Sequence, residues 1–324
     1  MSAAKPKVAI YWCASCGGCE ETIVDLDEKI LDVVAAVDIV LWPVALDFKY
    51  SDIEALPDGS ITASLINGAI RTTEQEHVAK LLRSKSKIVV AVGSCACSGG
   101  IPALANLTTR DEIFRVSYHE SPTVINPEKT EPARETTEDG VTVTLPGFYK
   151  KVLRLQDVID VDYFLPGCPP TAEKVGEAVG VLLSGNLPQK GAVLLPDRAL
   201  CYSCSRNASK PDNLTVTAFK RITEVKADPE KCFLAQGIAC MGISTRDGCG
   251  EPCIKGNMPC TGCFGPTSAC KDQGAKMVSS LGAMVEADTP EAAAIALSGI
   301  ADPAGTFYRY GLSASLMRSS EKRS

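Results

Sequence analysis

The sequence predicts an α/β protein: a doubly wound parallel sheet, followed by a small irregular C-terminal domain. Three observations predict it. Short apolar runs alternate with helix-like stretches over roughly the first 186 residues. That alternation stops near Leu187. Nine cysteines, with many Gly and Pro, then crowd between Cys201 and Cys270. Strand–helix alternation is the signature of parallel strands with crossover helices.

The strands are read from continuous apolar runs, as strands buried on both faces require. They are Lys7–Trp12 (KVAIYW), Val37–Trp42 (VDIVLW), Ile61–Ile66, Ile88–Gly93 (IVVAVG) and Val161–Leu165 (VDYFL). Helices are expected at Glu20–Val34, Thr73–Ser84 and Ala172–Leu183. His119–Gly140 interrupts the pattern, being rich in Pro, Thr and Glu. A solvated surface insertion is expected there, with a partner-docking arm as the functional alternative. Val141–Leu145 could form one side of a hairpin. Beyond Leu187 the apolar runs are few, so the segment is not expected to build a sizeable hydrophobic core. Metal sites would supply its cross-links. Thr289–Ser298 is an alanine-rich helix candidate, and Ala301–Ser324 reads as an irregular tail. The expected organisation is a flavodoxin-like domain over 1–186, a cysteine-rich domain over 187–288, and a C-terminal helix and tail over 289–324.

Composition narrows the function. The net charge is −6, from 33 basic and 39 acidic residues, which argues against a nucleic-acid surface. No apolar run reaches the roughly 18 residues of a membrane span. The N-terminal apolar stretch is too short for a secretory core, and no adjacent arginine pair occurs. The expected location is cytoplasmic. Fifteen cysteines are the anomaly. An odd number cannot pair fully within one chain, and a reducing compartment disfavours disulfides. Metal ligation is the reading that uses thiols in fours.

Cys13, Cys16 and Cys19 follow the first strand. Cys95 and Cys97 follow the IVVAVG strand, and Cys168 follows VDYFLP. In a doubly wound sheet, loops at the carboxyl ends of strands converge on one edge. Three distant segments therefore deliver thiols to one place, where a cubane would need four. A bacterial ferredoxin run needs a further cysteine four positions after Cys19, and Ile23 stands there. Spacing leaves open the choice between Cys13 and Cys16, and between Cys95 and Cys97. A phosphate cradle is disfavoured because neither a Walker pattern nor GxGxxG is present. Zinc is the other reading of four cysteines.

The second group is Cys201-x-x-Cys204, Cys232, Cys240, Cys249, Cys253, Cys260-x-x-Cys263 and Cys270. Nine thiols suffice for two four-ligand sites with one left over. A Cys-x-x-Cys pair places two sulfurs on one turn, for zinc as well as for iron–sulfur clusters. The two histidines, His77 and His119, lie far from either pair.

Taken together, these residues resemble the small subunits of nickel–iron hydrogenases over nearly the whole chain. The motifs that carry the resemblance are Cys16-Gly-Gly-Cys19, Gly93-Ser-Cys95 with Gly99-Gly100, and Gly167-Cys168-Pro-Pro. The pattern continues in Cys201-x-x-Cys204, Cys232, Cys240, Cys249 and Pro259-Cys260-x-x-Cys263. The resemblance implies a proximal cluster on Cys16, Cys19, Cys95 and Cys168. It implies a distal cluster on Cys201, Cys204, Cys232 and Cys240, and a medial cluster on Cys249, Cys253, Cys260 and Cys263. The best-known membrane-bound members have histidine where Cys201 stands and proline where Cys253 stands. With cysteine at both, all three clusters are expected to be 4Fe-4S, leaving Cys13, Cys97 and Cys270 as nonligating thiols.

Within the family, Leu155–Pro170 and the tail Ala301–Arg309 look most like the cytoplasmic methyl-viologen-reducing, non-deazaflavin-reducing type. That type implies an electron-transfer role beside a nickel–iron hydrogenase large subunit, which holds the hydrogen-splitting centre. It also implies a small iron–sulfur adaptor subunit and a heterodisulfide-reductase-like acceptor complex. No nickel is expected in this chain, whose last cysteine is Cys270. Glu20 and Glu21 are expected to supply favourable charge at a helix N-terminus, with proton movement as the alternative. The rivals are a complex-I-like quinone oxidoreductase subunit with one cluster, and a zinc-stabilised binding module without redox activity.

Overall fold

The computed structural model describes residues 5–317. In chain order the elements begin β1 Lys7–Trp12, α1 Gly18–Val24, α2 Lys29–Ala36, β2 Asp38–Leu41 and α3 Tyr50–Glu54. Next come β3 Ile61–Asn67, β4 Ile70–Thr72, α4 Thr73–Lys85, β5 Ser86–Val92, α5 Gly93–Ser98 and α6 Arg110–Arg115. Then follow β6 Glu135–Glu138, β7 Val141–Thr144, β8 Phe148–Leu153, β9 Tyr163–Leu165 and α7 Ala172–Ser184. The last are α8 Pro252–Lys255, α9 Gln273–Gly282, α10 Pro290–Leu297 and α11 Pro303–Phe307.

Five strands form a parallel sheet in the order β2-β1-β3-β5-β9. This is the flavodoxin-like order, in which the sequence direction reverses beside β1. The expected strands are all present, each within a few residues of its predicted bounds. Two apolar clusters cover the two faces of the sheet. One gathers Leu41, Ile53, Ile66, Val78, Leu82 and Val89 under α3 and α4. The other gathers Ile10, Ile23, Leu65, Val90, Leu165 and Val175 under α1 and α7. α4 begins where the sequence says it should: the Thr72 hydroxyl accepts from the Gln75 amide, and the Gln75 side chain returns to the Thr72 amide at 3.0 Å.

Three expectations need correction. Glu20–Val34 is two helices rather than one. The chain breaks after Val24, and Asp27 takes φ 53°, a left-handed conformation that Asp tolerates and most residues do not. The C-terminal segment does build a core. Leu200, Val216, Phe219, Phe233, Met241, Ile254, Met277 and Leu281 are buried together with Cys240 and Cys260. Apart from Ile254 on α8 and Met277 and Leu281 on α9, these apolar residues are scattered singly between turns, so no run announces them. The tail from Ala301 is not loose over the described residues: Phe307 and Tyr308 join that same core. Its last seven residues, 318–324, lie outside the described residues.

The 119–140 insertion is largely exposed and includes β6, which pairs antiparallel with β7 as a two-stranded hairpin. α10 matches the alanine-rich candidate, with Thr289 capping its first turn.

Candidate metal centres

The first thiol group is assembled by the sheet. β1 ends at Trp12, and the Cys13 and Ala14 amides bond to the carbonyls of Asn67 and Ala69, fixing the loop against β3. Gly17, at φ +87°, turns the chain into α1, so that Cys19 lies on its first turn. Cys95 stands on α5 directly after β5, and Cys168 follows β9. These are the carboxyl ends of three strands in one sheet. Burial is the main force raising the Cys19 thiol, and Cys95, Cys168 and Cys16 raise it further. Burial, then Cys168 and Cys16, push Cys95 up to about 12. Four thiols thus crowd one another.

The two extra thiols of this group behave differently. Cys13 is raised by burial alone and packs in the cluster under α3 and α4, across the sheet from Cys19. Cys97 packs with that same cluster and its thiol donates to the Ala91 carbonyl at 3.4 Å; burial raises it, and Cys19 and then Cys95 add to the rise.

Four thiols of the second group, Cys249, Cys253, Cys260 and Cys263, line one cavity of about 280 Å³ together with Cys168. Glu251, at φ 55°, turns the chain into α8, and its amide donates to Cys249 Sγ at 3.3 Å. Burial pushes Cys263 up to about 12, with Cys249, Cys253 and Cys168 adding to it. Cys201, Cys204, Cys232 and Cys240 line a separate, smaller pocket with Arg206 and Gly242. Burial, then Cys240, push Cys201 up to about 12; Cys204 and Cys232 contribute less. Burial pushes Cys240 up to about 11. Cys270 is separate from all these: its thiol donates to the Asp272 carbonyl at 3.4 Å, and its charged neighbours are Asp272 and Lys276.

Adjacent sets meet through cysteine amides. The Cys168 amide lies against Cys263 and favours its thiolate. The Cys260 amide does the same for Cys240. The Cys260-x-x-Cys263 turn therefore touches the 168 side with one end and the 240 side with the other.

Among the described residues no group of three or more His, Cys, Asp or Glu side chains is drawn together closely enough for a single metal ion. A cubane needs no such convergence, since each thiolate takes its own iron. The donor chemistry fits such a group in two respects. Buried thiols that raise one another become ligating thiolates only beside compensating positive charge. The backbone also leaves room at the sulfurs: a Cβ on Gly100 would stand 2.5 Å from Cys95 Sγ.

Two features of the site escaped the sequence. Glu20 stands in the first turn of α1, as the helix-terminal reading expects, but at 5% exposure it is buried, taking bonds from Trp42 Nε1 and, at 2.6 Å, from Asn67 Nδ2. Burial raises its carboxyl and these two donors oppose the rise. Glu21, in the same first turn, is exposed. Ser94, inside the Gly93-Ser-Cys95 motif, is also buried and joins loops from both thiol groups.

Comparison with known proteins bears on this arrangement. Residues 16–182 match the family model described as NADH ubiquinone oxidoreductase, 20 Kd subunit. The iron-sulfur subunit of the F420-non-reducing hydrogenase of Archaeoglobus profundus is 40% identical over 86% of this chain and 88% of its own length. A subunit of the F420-non-reducing hydrogenase of Methanothermobacter thermautotrophicus is 38% identical over 97% of each chain. The chain belongs to this family of F420-non-reducing hydrogenase subunits. It is a hydrogenase subunit of the nickel–iron small-subunit type. These relatives run through the C-terminal cysteines, which the 20 Kd family model does not reach, so the hydrogenase reading holds over its complex-I-like rival. The H2-activated NiFeSe hydrogenase of Dm. baculatum has a chain of the same fold, with TM-score 0.51, 18% identity, and coverage of 82% of this chain and 95% of that one. No helix among the described residues is long and apolar enough to cross a membrane.

Proposed function

We propose that this hydrogenase subunit conducts electrons from H2 oxidation, performed on a large-subunit partner, through three 4Fe-4S clusters to an acceptor protein of the heterodisulfide-reductase type. The proximal cluster takes Cys16, Cys19, Cys95 and Cys168. The medial takes Cys249, Cys253, Cys260 and Cys263, and the distal takes Cys201, Cys204, Cys232 and Cys240. A small iron–sulfur adaptor would stand between the distal end and the acceptor. The domain bounds 1–186, 187–288 and 289–324 belong to the same reading.

The observation that carries it is that Cys249, Cys253, Cys260 and Cys263 line one cavity while Cys201, Cys204, Cys232 and Cys240 line another. Cys95, Cys168 and Cys16 are the thiols that raise Cys19 after burial does, and Cys260, raised by burial and then by Cys240, stands where two sets adjoin. Bound clusters would supply the one-electron carriers; the chain supplies position and environment. Its buried loops exclude water from Cys19, Cys240 and Cys260. Cysteine amides at Cys168 and Cys260 offset charge on the sulfurs they face. Burial and amide donation are among the means by which a protein sets cluster potential.

The test is anaerobic purification of the native complex, with iron, sulfide and nickel counted in each chain. About twelve irons are expected in this chain, from three cubanes of four. A single cubane, or zinc in their place, would overturn the reading.

A further inference from the structure

Ser94 is 1% exposed and every polar group of its side chain is committed. Its amide donates to the Gly167 carbonyl at 2.7 Å, and its hydroxyl accepts from the Gly167 amide at 3.3 Å. The same hydroxyl donates to the Cys263 carbonyl. One side chain therefore holds the residue before Cys168 and the backbone of Cys263. It does so from a position next to Cys95. Those three cysteines belong to two different sets of four.

We infer that Ser94 is a positioning residue for electron transfer between the proximal and medial clusters, holding the loop of Cys168 against the loop of Cys263. The inference rests on the three-cluster reading above. A route from the proximal to the medial set crosses between the Cys168 loop and the Cys263 loop, which line one cavity. Its quality depends on the relative placement of two loops 95 residues apart in sequence. No helix or strand fixes that placement; the Cys263 loop is an irregular turn. Ser94 fixes it at one point.

A second clamp holds the far side of the same turn. The Tyr310 hydroxyl lies 3.1 Å from Thr261 Oγ1, between Cys260 and Cys263. The Tyr310 carbonyl accepts from Ser98 Oγ at 2.6 Å and from the Gly100 amide at 3.1 Å, both on the Cys95 loop. Tyr310 is close enough to Cys263 and Cys168 to feel both thiols. Two independent tethers thus converge on the junction that the proposed route must cross. A junction needed only for folding would be satisfied by apolar packing, which would not require the hydroxyl of Ser94.

The experiment compares Ser94→Ala and Ser94→Thr in the intact complex with the large subunit. Iron is counted, and freeze-quenched samples are followed by electron paramagnetic resonance after mixing with H2. In Ser94→Ala the iron count and the rise of the proximal signal should match wild type. The delay before the medial signal should lengthen clearly beyond the wild-type value. Ser94→Thr, which keeps the hydroxyl, should restore the shorter delay. An unchanged delay in Ser94→Ala would overturn the inference, as would no recovery in Ser94→Thr. So would iron lost from Ser94→Ala alone, which would make Ser94 an assembly residue. If the wild-type complex itself gave no medial signal, the three-cluster reading would fail first, and this inference with it.

Discussion

A Cβ placed on Gly93 would stand 2.3 Å from the sulfur of Cys19. The two residues come from different elements, one at the start of α1 after β1 and one at the start of α5 after β5. Gly93 also holds φ +80°, where a side chain is strained whatever the space. Gly93→Ala must therefore move Cys19 or distort the start of α5. The expected outcome is loss of the proximal cluster, about four of twelve irons, with H2-dependent reduction abolished and the other two clusters still reducible by dithionite. A full iron count in this variant would refute the placement of Cys19 in the site.

The sheet and the meeting of the first thiol group were legible in the sequence for one reason. Parallel strands are written as continuous apolar runs, and their carboxyl ends share an edge. The second group was legible only as a pattern of cysteines. Much of its core is made of isolated residues such as Val216, Phe219 and Phe233, contributed by irregular turns with no period to read. The role of Ser94 was hidden for a related reason: it joins loops far apart in sequence, and no local rule predicts which.

Cys253 is exposed, and it lines the same cavity as Cys249, Cys260 and Cys263. An iron that lost this thiolate would face solvent. Cys253→Pro should convert the medial cluster to a three-iron form with loss of about one iron per chain and a higher potential. The check is the characteristic resonance signal of an oxidised three-iron cluster. A variant that kept four irons at this site would move Cys253 out of the medial set.

Glu20 holds two donors at once, the indole of Trp42 and the amide of Asn67. Glutamine has the same shape, but its own amide would face one of those donors. Turning the Asn67 amide would relieve the clash and abandon its bond to the Tyr11 carbonyl at 3.3 Å. Glu20→Gln should lower stability by about 1–3 kcal/mol, the usual penalty for an unsatisfied buried polar group. Thermal unfolding measures it, and Trp42 emission should shift as its acceptor weakens. No change in either would mean that the carboxylate is not what Trp42 and Asn67 require.

Asp272 ties the tail to the C-terminal core. Its Oδ1 accepts from the Ala275 amide at 2.9 Å, capping α9. Its Oδ2 accepts from Ser315 Oγ at 3.0 Å and the Leu316 amide at 2.9 Å. Burial pushes the Asp272 carboxyl up, but the amides of Ala275 and Leu316 and the hydroxyls of Ser315 and Tyr308 outweigh it, and the carboxyl is held below its ordinary value. A carboxyl depressed in the folded state contributes stability above its unfolded value, about 3.9, and loses it as pH falls through the folded value. Asp272→Ala removes a helix cap and two tail contacts, so roughly 2 kcal/mol should be lost near neutral pH. The deficit against wild type should stay level from about pH 8 to 5 and shrink only in stronger acid, where the wild-type carboxyl is protonated too. Hydrogen exchange at the Leu316 amide should accelerate in the variant at neutral pH. Slow exchange there, with α9 destabilised, would show that the cap matters and the tether does not.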